Sequence, residues 1–315
     1  MDSLIYSLNA TIPVFLVIVV GYILKRIGML NDSFVKCTNK FNFAVTLPVL
    51  LFVDLSTTDI IGDFDLSYVL FCAITTTVVF GGLWIGARLI LKDKSLIAEF
   101  VQAGYRSSAA ILGVAFIQNI YGDSGMAPVM IIGCVPLFNI FAVLVLTFEG
   151  EKSGHGAEHI KKSIINIIKN PIIIAIALGV IASLIKIDFP EIIDKTLSSF
   201  AKMATPLALV TIGAGFEGKK AIAKIKPSLA ASMIKLMVLP AIFLPIAVKL
   251  GFRDQALVAL VIMLGSPTTP SSYIMAKNMG HEGVLTSSVV VMTTLLSSVT
   301  LTLWIFVMRY FGLIM

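Results

Sequence analysis

The chain has 315 residues, 57% of them hydrophobic and 13% charged, with a formal net charge of +6. Soluble domains carry about 25% charged residues, so this composition excludes an ordinary soluble globular protein and marks a polytopic membrane protein. The basic surplus lies in short loops between apolar runs, so it reports topology and gives no reason to invoke nucleic acid.

Ten apolar runs approach the ~20 residues a helix needs to cross a bilayer. They cover roughly 5–24, 38–54, 66–91, 97–120, 126–148, 170–187, 197–215, 228–250, 255–279 and 284–312. Only Asp2 is charged before the first run and no small-residue cleavage site follows, so that run reads as a span and not as a removed signal peptide. Three cysteines, Cys37, Cys72 and Cys134, lie in or beside apolar runs and are odd in number. They read as small core residues, with no disulfide or metal set. His155 and His159 are four apart but have no third ligand nearby, so no metal site and no cofactor is expected.

Most of the Lys and Arg residues follow the odd-numbered runs, as in Lys25, Arg26, Lys36 and Lys40, or Lys219, Lys220, Lys224 and Lys226. The loop after the second run carries aspartates and no base. The positive-inside rule then places both termini outside a cell membrane and the 149–169 loop in the cytoplasm.

An internal repeat appears at an offset of 158 residues. Pro13 falls on Pro171, Gly21 on Gly179, Pro48 on Pro206, Gly122 on Gly280 and Gly125 on Gly283. The four prolines are expected to break or shape their helices. Five spans per half is an odd number, so the second half enters the membrane from the opposite side. The reading is an all-α, ten-helix inverted repeat. Residues 1–148 form one repeat, 149–169 the connecting loop and 170–315 the second repeat.

The ninth run is interrupted by Gly265-Ser266-Pro267-Thr268-Thr269-Pro270-Ser271-Ser272-Tyr273. Two prolines three residues apart remove two backbone donors, and lipid cannot satisfy the carbonyls they release. The repeat maps Ser108 onto Ser266 and Ala109 onto Pro267. The fourth and ninth runs are therefore expected to be broken helices crossing near the midplane, although the fourth has no proline.

These features resemble the auxin efflux carrier family, in its bacterial malate-permease-like branch. The resemblance rests on Ile12-Pro13 to Gly21, Leu47-Pro48, Tyr105-Arg106-Ser107-Ser108 to Tyr121-Gly122, Asn139, and Ser266-Pro267-Thr268-Thr269-Pro270 with Tyr273 and Ala276. It covers essentially the whole chain. It implies the ten-helix inverted-repeat fold shared with sodium/proton antiporters and bile-acid symporters, one part a scaffold and the other a transport bundle. It also implies the movement of organic anions such as malate. Many members have Asn at the fourth-helix break and a Pro soon after; here Ser107 and Ser108 stand there without proline.

Arg106 is the sharpest candidate for substrate contact. A basic residue at a helix centre costs about 2.5–3.5 kcal/mol to insert, so it should face a cavity or a partner. Its guanidinium matches a carboxylate bidentately. Helices starting near Ala109 and Ser271 would aim unpaired amides at the crossing and favour anions. The hydroxyls of Ser107, Ser108, Ser266, Thr268, Thr269 and Ser271 can bond a carboxylate, help coordinate a cation, or cap their own helices. Asn139, Pro267, Pro270 and Tyr273 complete the candidate site. Asn42 lies within a span and is read first as a helix-to-helix hydrogen bond. Lys202 is placed near a span end and Lys235 about two turns into the eighth span. No Asp or Glu is placed firmly at mid-membrane: Asp54 ends the second span and Glu99 opens the fourth.

The expected function is a secondary transporter for small organic anions, working by alternating access. A sodium-coupled bile-acid-type symporter and a non-transporting membrane sensor are the alternatives. No enzyme motif such as His-Glu-x-x-His or Gly-x-Ser-x-Gly is present. The coupling ion, proton or sodium, is open, and a homodimer is an expectation from the fold alone.

Overall fold

The computed structural model describes residues 2–57, 65–109, 117, 120, 121, 125–150 and 164–314. Most of the fourth run beyond Ala109, Gly122, and the loop histidines His155 and His159 lie outside the described residues. Among the described residues the structure is helical, with no strand. The helices are α1 (Asp2–Arg26), α2 (Asp32–Phe41), α3 (Leu47–Ser56), α4 (Leu66–Ile90) and α5 (Ile97–Tyr105). Then come α6 (Ala127–Phe148), α7 (Pro171–Leu184), α8 (Glu191–Ala214), α9 (Gly218–Ala223) and α10 (Ile225–Met233). The last are α11 (Leu239–Lys249), α12 (Asp254–Gly265), α13 (Ser271–Asn278) and α14 (Val284–Tyr310).

Among the described residues, five stretches are long and apolar enough to cross a bilayer: Leu66–Ile90, Ala127–Phe148, Glu191–Ala214, Ile225–Lys249 and Val284–Tyr310. Their packing is inside-out relative to a soluble protein. On α4, Leu70, Ile74, Val78, Ile85 and Leu89 are exposed, while Tyr68, Cys72, Thr75 and Thr76 are buried. Such an apolar outer stripe suits contact with lipid tails, with these polar residues turned inward.

Local sequence sets the helix starts. Asn31 accepts from the Phe34 N–H at 2.8 Å and caps α2. Asp65 accepts from the Ser67 and Tyr68 N–H groups and caps α4. Asn170 caps α7, whose first residue is Pro171, a position where the missing N–H costs nothing. The cap on α14 comes from elsewhere in the chain. Buried Glu99 on α5 accepts from Gly283 N–H (2.8 Å), Thr286 N–H (2.9 Å) and Thr286 Oγ1 (3.1 Å).

Two π-helical turns join consecutive α-segments. Asn42–Thr46 links α2 to α3, and Ile234–Val238 links α10 to α11. In each case a Leu-Pro pair follows, Leu47-Pro48 and Leu239-Pro240. The wider turn accommodates a proline that cannot donate to the ladder.

Several sequence expectations need correction. Pro13 and Pro206 sit inside continuous helices, α1 and α8, and do not break them. Pro48 is the second residue of α3, and Pro171 opens a helix. The seventh run starts earlier than 197, because Pro190 and the acidic first turn with Glu191 and Asp194 initiate α8 at a polar stretch. Cys72 and Cys134 are buried, but Cys37 is exposed on α2 and is not a core residue.

The helices pack in recognisable groups. α1 lies against α8 and α14, α3 against α7 and α8, and α4 against α6. The α1–α8 contact is close, with Gly21 over the Val210 carbonyl and Gly213 over the Ile18 carbonyl. A small core of Ile18, Ala208, Leu209, Ile212, Tyr273, Ile274 and Val290 fills the space beside it.

Candidate functional site

Two helix ends meet inside the helical assembly. α5 ends at Tyr105, and Arg106 is extended (φ −72°, ψ 141°). α12 ends at Gly265, and Ser266 is extended (φ −75°, ψ 164°); α13 begins at Ser271. The backbone groups released there largely satisfy one another. Ser108 N–H donates to the Pro267 carbonyl at 3.0 Å. Thr268 Oγ1 donates to the Ala103 carbonyl at 2.7 Å, and Ser107 Oγ donates to the Met263 carbonyl. Gln102 Nε2 donates to the Ser272 carbonyl at 3.1 Å. Thr268 N–H turns to Thr293 Oγ1 on α14, at 3.0 Å. Helix interruptions at such a depth survive only when buried in protein or lining a cavity, and this arrangement meets that requirement.

Arg106 stands where the two interruptions meet and is almost wholly buried. Its Nη2 donates to Asn139 Oδ1 (2.8 Å) and Ser271 Oγ (2.9 Å), and its Nη1 to Met275 Sδ (2.9 Å). Its Nε is buried without a hydrogen-bond partner among the described residues. Asn139 is itself fixed, since its Nδ2 donates to the Val135 carbonyl at 2.9 Å. No ion pair among the described residues reaches Arg106. A buried guanidinium with neutral partners and an open donor is poised for an anion. The first turn of α13 adds its own positive end beside Ser271.

Arg106 opens onto a small cavity of about 60 Å³. Its polar wall is Asn42, Asp54, Ser107, Ser108, Asn139, Thr205, Thr269 and Ser271; Leu50, Leu51, Val135, Phe138, Ala208 and Ile274 line the apolar side. At about 10–15 Å³ per ordered water, this volume admits a handful of waters. Asn42 also bridges helices, its Nδ2 donating to the Ala204 carbonyl at 2.9 Å.

The candidate residues fall into two groups. Arg106, Ser107, Ser108, Asn139, Thr269 and Ser271 line the cavity. Ser266, Pro267, Thr268 and Pro270 do not; Pro267 and Thr268 tie the interruptions together, and Pro270 immediately precedes α13. Tyr273 faces a different space, a vestibule of about 840 Å³ lined also by Lys25, Arg26, Lys36, Asn39, Lys40, Lys277 and Asn278. Its buried hydroxyl meets the geometry of a hydrogen bond with no group among the described residues. In the wall of this vestibule, Asn278 Nδ2 donates to the Asn39 carbonyl at 3.0 Å.

Two residues gain a place that sequence reasoning did not give them. Asp54, assigned to a span end, lies in the same cavity wall as Arg106. Lys235, placed about two turns into the eighth span, donates to Ser107 Oγ beside Arg106. The contact spans 128 positions of sequence, and no local pattern announces it. Lys202 is exposed on α8 but lies midway along it and not near its end, because the helix begins at Glu191.

Comparison with known proteins agrees with a chain of this kind. Residues 6–305 match the family model described as membrane transport protein. An uncharacterized transporter of Methanothermobacter thermautotrophicus is 24% identical over 95% of this chain and 97% of its own length. An uncharacterized transporter of Methanocaldococcus jannaschii is 22% identical over 94% of this chain and 97% of its own. A Rhizobium meliloti protein provisionally named a malonate transporter is 23% identical over 95% of this chain and 94% of its own. The chain therefore belongs to the membrane transport protein family, the auxin efflux carrier group that its sequence resembles.

Proposed function

From family membership as the premise, we propose that this membrane transport protein is a secondary carrier of small dicarboxylate anions, with Arg106 as the substrate's carboxylate partner. The carrying observation is the buried Arg106 guanidinium, held by Asn139, Ser271 and Met275, with Nε open and the cavity beside it. Ser108, Thr269 and Ser271 would complete the anion's hydrogen bonds, and Asn139 would hold the guanidinium in place. The provisional naming of the Rhizobium relative as a malonate transporter supports this substrate class.

In this reading the chain has ten spans as a 5+5 inverted repeat, residues 1–148 and 170–315, with the fourth and ninth crossing as broken helices. The bonds between 103–108 and 263–272 support that crossing. Both termini lie outside the cell membrane, and the 149–169 loop and the basic vestibule face the cytoplasm, in keeping with the positive-inside rule. The cavity is too small for a dicarboxylate with its hydration, so it must widen for the substrate to bind. Access alternates as the crossing moves against the helices of the α1–α8 group.

The test is uptake of radiolabelled malonate and malate into proteoliposomes, under a sodium gradient, a pH gradient or an imposed potential. Removing one partner of a buried charge pair costs about 2–5 kcal/mol, so Arg106→Gln should raise KM by about 30-fold or more. Arg106→Lys should fall between, since it keeps the charge and loses the fork. Unchanged affinity in both variants refutes the role of Arg106. Uptake driven by one gradient alone identifies the coupling ion.

A further inference from the structure

The C-terminal end of α12 is met by a cation that the anion site does not use. Lys235 lies in the Ile234–Val238 π turn and is fully buried. Its ammonium donates to the Leu264 carbonyl at 2.7 Å, the Met263 carbonyl at 3.2 Å, and Ser107 Oγ. Ser107 Oγ in turn donates to the Met263 carbonyl. An ammonium has three donors, and three oxygens take them.

The sequence explains why those carbonyls are open. In an unbroken helix the Met263 carbonyl would accept from residue 267, but Pro267 has no N–H. The Leu264 carbonyl would accept from residue 268, but Thr268 N–H goes to Thr293 Oγ1. The Ile262 carbonyl one position earlier keeps its helical partner, Ser266 N–H at 3.1 Å. The interruption thus leaves two adjacent carbonyls at the negative end of a helix, with a serine hydroxyl from the other interruption beside them. No ion pair among the described residues supplies Lys235 with a carboxylate. Carbonyls at the C-terminal end of a broken helix are a donor set that carriers use for monovalent cations.

We propose that Lys235 is a built-in cation of the crossing: its ammonium fills an oxygen cage that would otherwise hold a monovalent alkali ion. The wild-type protein then needs neither sodium nor potassium to assemble the crossing. Ser107 belongs both to this cage and to the anion cavity, so the fixed charge also holds one wall of the substrate site. The inference rests on the carrier reading for its functional meaning, but its test does not.

The test is thermal unfolding of purified protein in detergent, with no substrate, in choline, potassium or sodium chloride at equal ionic strength. Wild type is expected to melt at the same temperature in all three. Lys235→Ala and Lys235→Ser are expected to melt several degrees lower in choline, and to recover saturably with added sodium or potassium. Lys235→Gln, which refills the space with a neutral donor, is expected to respond weakly. Variants that are indifferent to the cation, including any that stay unfolded in every salt, overturn the proposal. So does a wild type that sodium stabilises. Because no substrate is present, a protein that failed to carry malonate would still give a clear answer here.

Discussion

Gly213→Ala tests the packing that holds α1 against α8. A Cβ at Gly213 would lie 1.9 Å from the Ile18 carbonyl oxygen, 2.9 Å from its carbon and 2.8 Å from the Tyr22 nitrogen. Real Cβ contacts are not found below 3.0 Å, so the pair is short by at least about 1 Å. The obstructing atoms are backbone, and no side chain can rotate away. α1 and α8 must move apart, which loosens Ile18, Ala208, Leu209 and Ile212 between them. Overpacking of this kind costs about 1–3 kcal/mol. At about 2–4 °C per kcal/mol, the midpoint should fall by several degrees. The assay is melting in detergent followed by reaction of a fluorogenic dye with the buried Cys72 and Cys134. Gly82→Ala on α4 is the control, since nothing lies within 4 Å of its added Cβ. That change should be neutral or mildly stabilising, by up to about 1 kcal/mol. If Gly213→Ala melts with wild type, the close α1–α8 approach is wrong.

Glu99→Ala removes the acceptor for two N–H groups and one hydroxyl at the start of α14. Each buried donor left unpaired costs about 1–3 kcal/mol, so the melting midpoint should fall further than for Gly213→Ala; an unchanged midpoint would refute the cap. Asp65→Ala should cost about 1 kcal/mol through loss of the α4 cap, measured by the same melting. The Ser67 hydroxyl, then the Tyr68 and Ser67 N–H groups, hold the Asp65 carboxyl below the usual carboxylate range. Its folded-state value is depressed, so its contribution is present at neutral pH and is lost as pH falls through that value. Asp65→Asn should therefore flatten the acid side of the stability profile, and an unaltered profile would count against the cap.

The membrane class and most helix positions were legible because a bilayer imposes length as well as polarity. The third run at 66–91 became Leu66–Ile90, and the fifth at 126–148 became Ala127–Phe148. Arg106 was legible because a lone charge within an apolar run needs a local reason. Lys235 carried the same signal, but its partners are carbonyls on another helix, and a carbonyl has no letter in the sequence. Glu99 was obscure for a similar reason, since its donors are mainly backbone amides 184 and 187 positions away. Asp54 was assigned by its distance from a span end, whereas its helix faces the cavity there. Tyr273 went the other way: its neighbours in sequence suggested the anion cavity, but its ring points to the basic vestibule.

The two π turns bear on how such a sequence should be numbered. A π turn contains one residue more than the α turn it replaces, so the helix beyond it is rotated by about 100° relative to an unbroken ladder. A helical wheel drawn through 32–56 that counts that surplus residue as an ordinary step of about 100° assigns the wrong face to everything after Thr46. The phase of Leu50, Leu51 and Asp54 toward the cavity is thus set by the Asn42–Thr46 turn as much as by their own spacing. Deleting one residue there would let the turn close as an ordinary α turn with Leu50, Leu51 and Asp54 still in phase, whereas closing it without a deletion would swing that wall of the cavity by about 100°. An alignment gap of a single position in this stretch is therefore compatible with the same lining, and an ungapped chain without the wider turn is not.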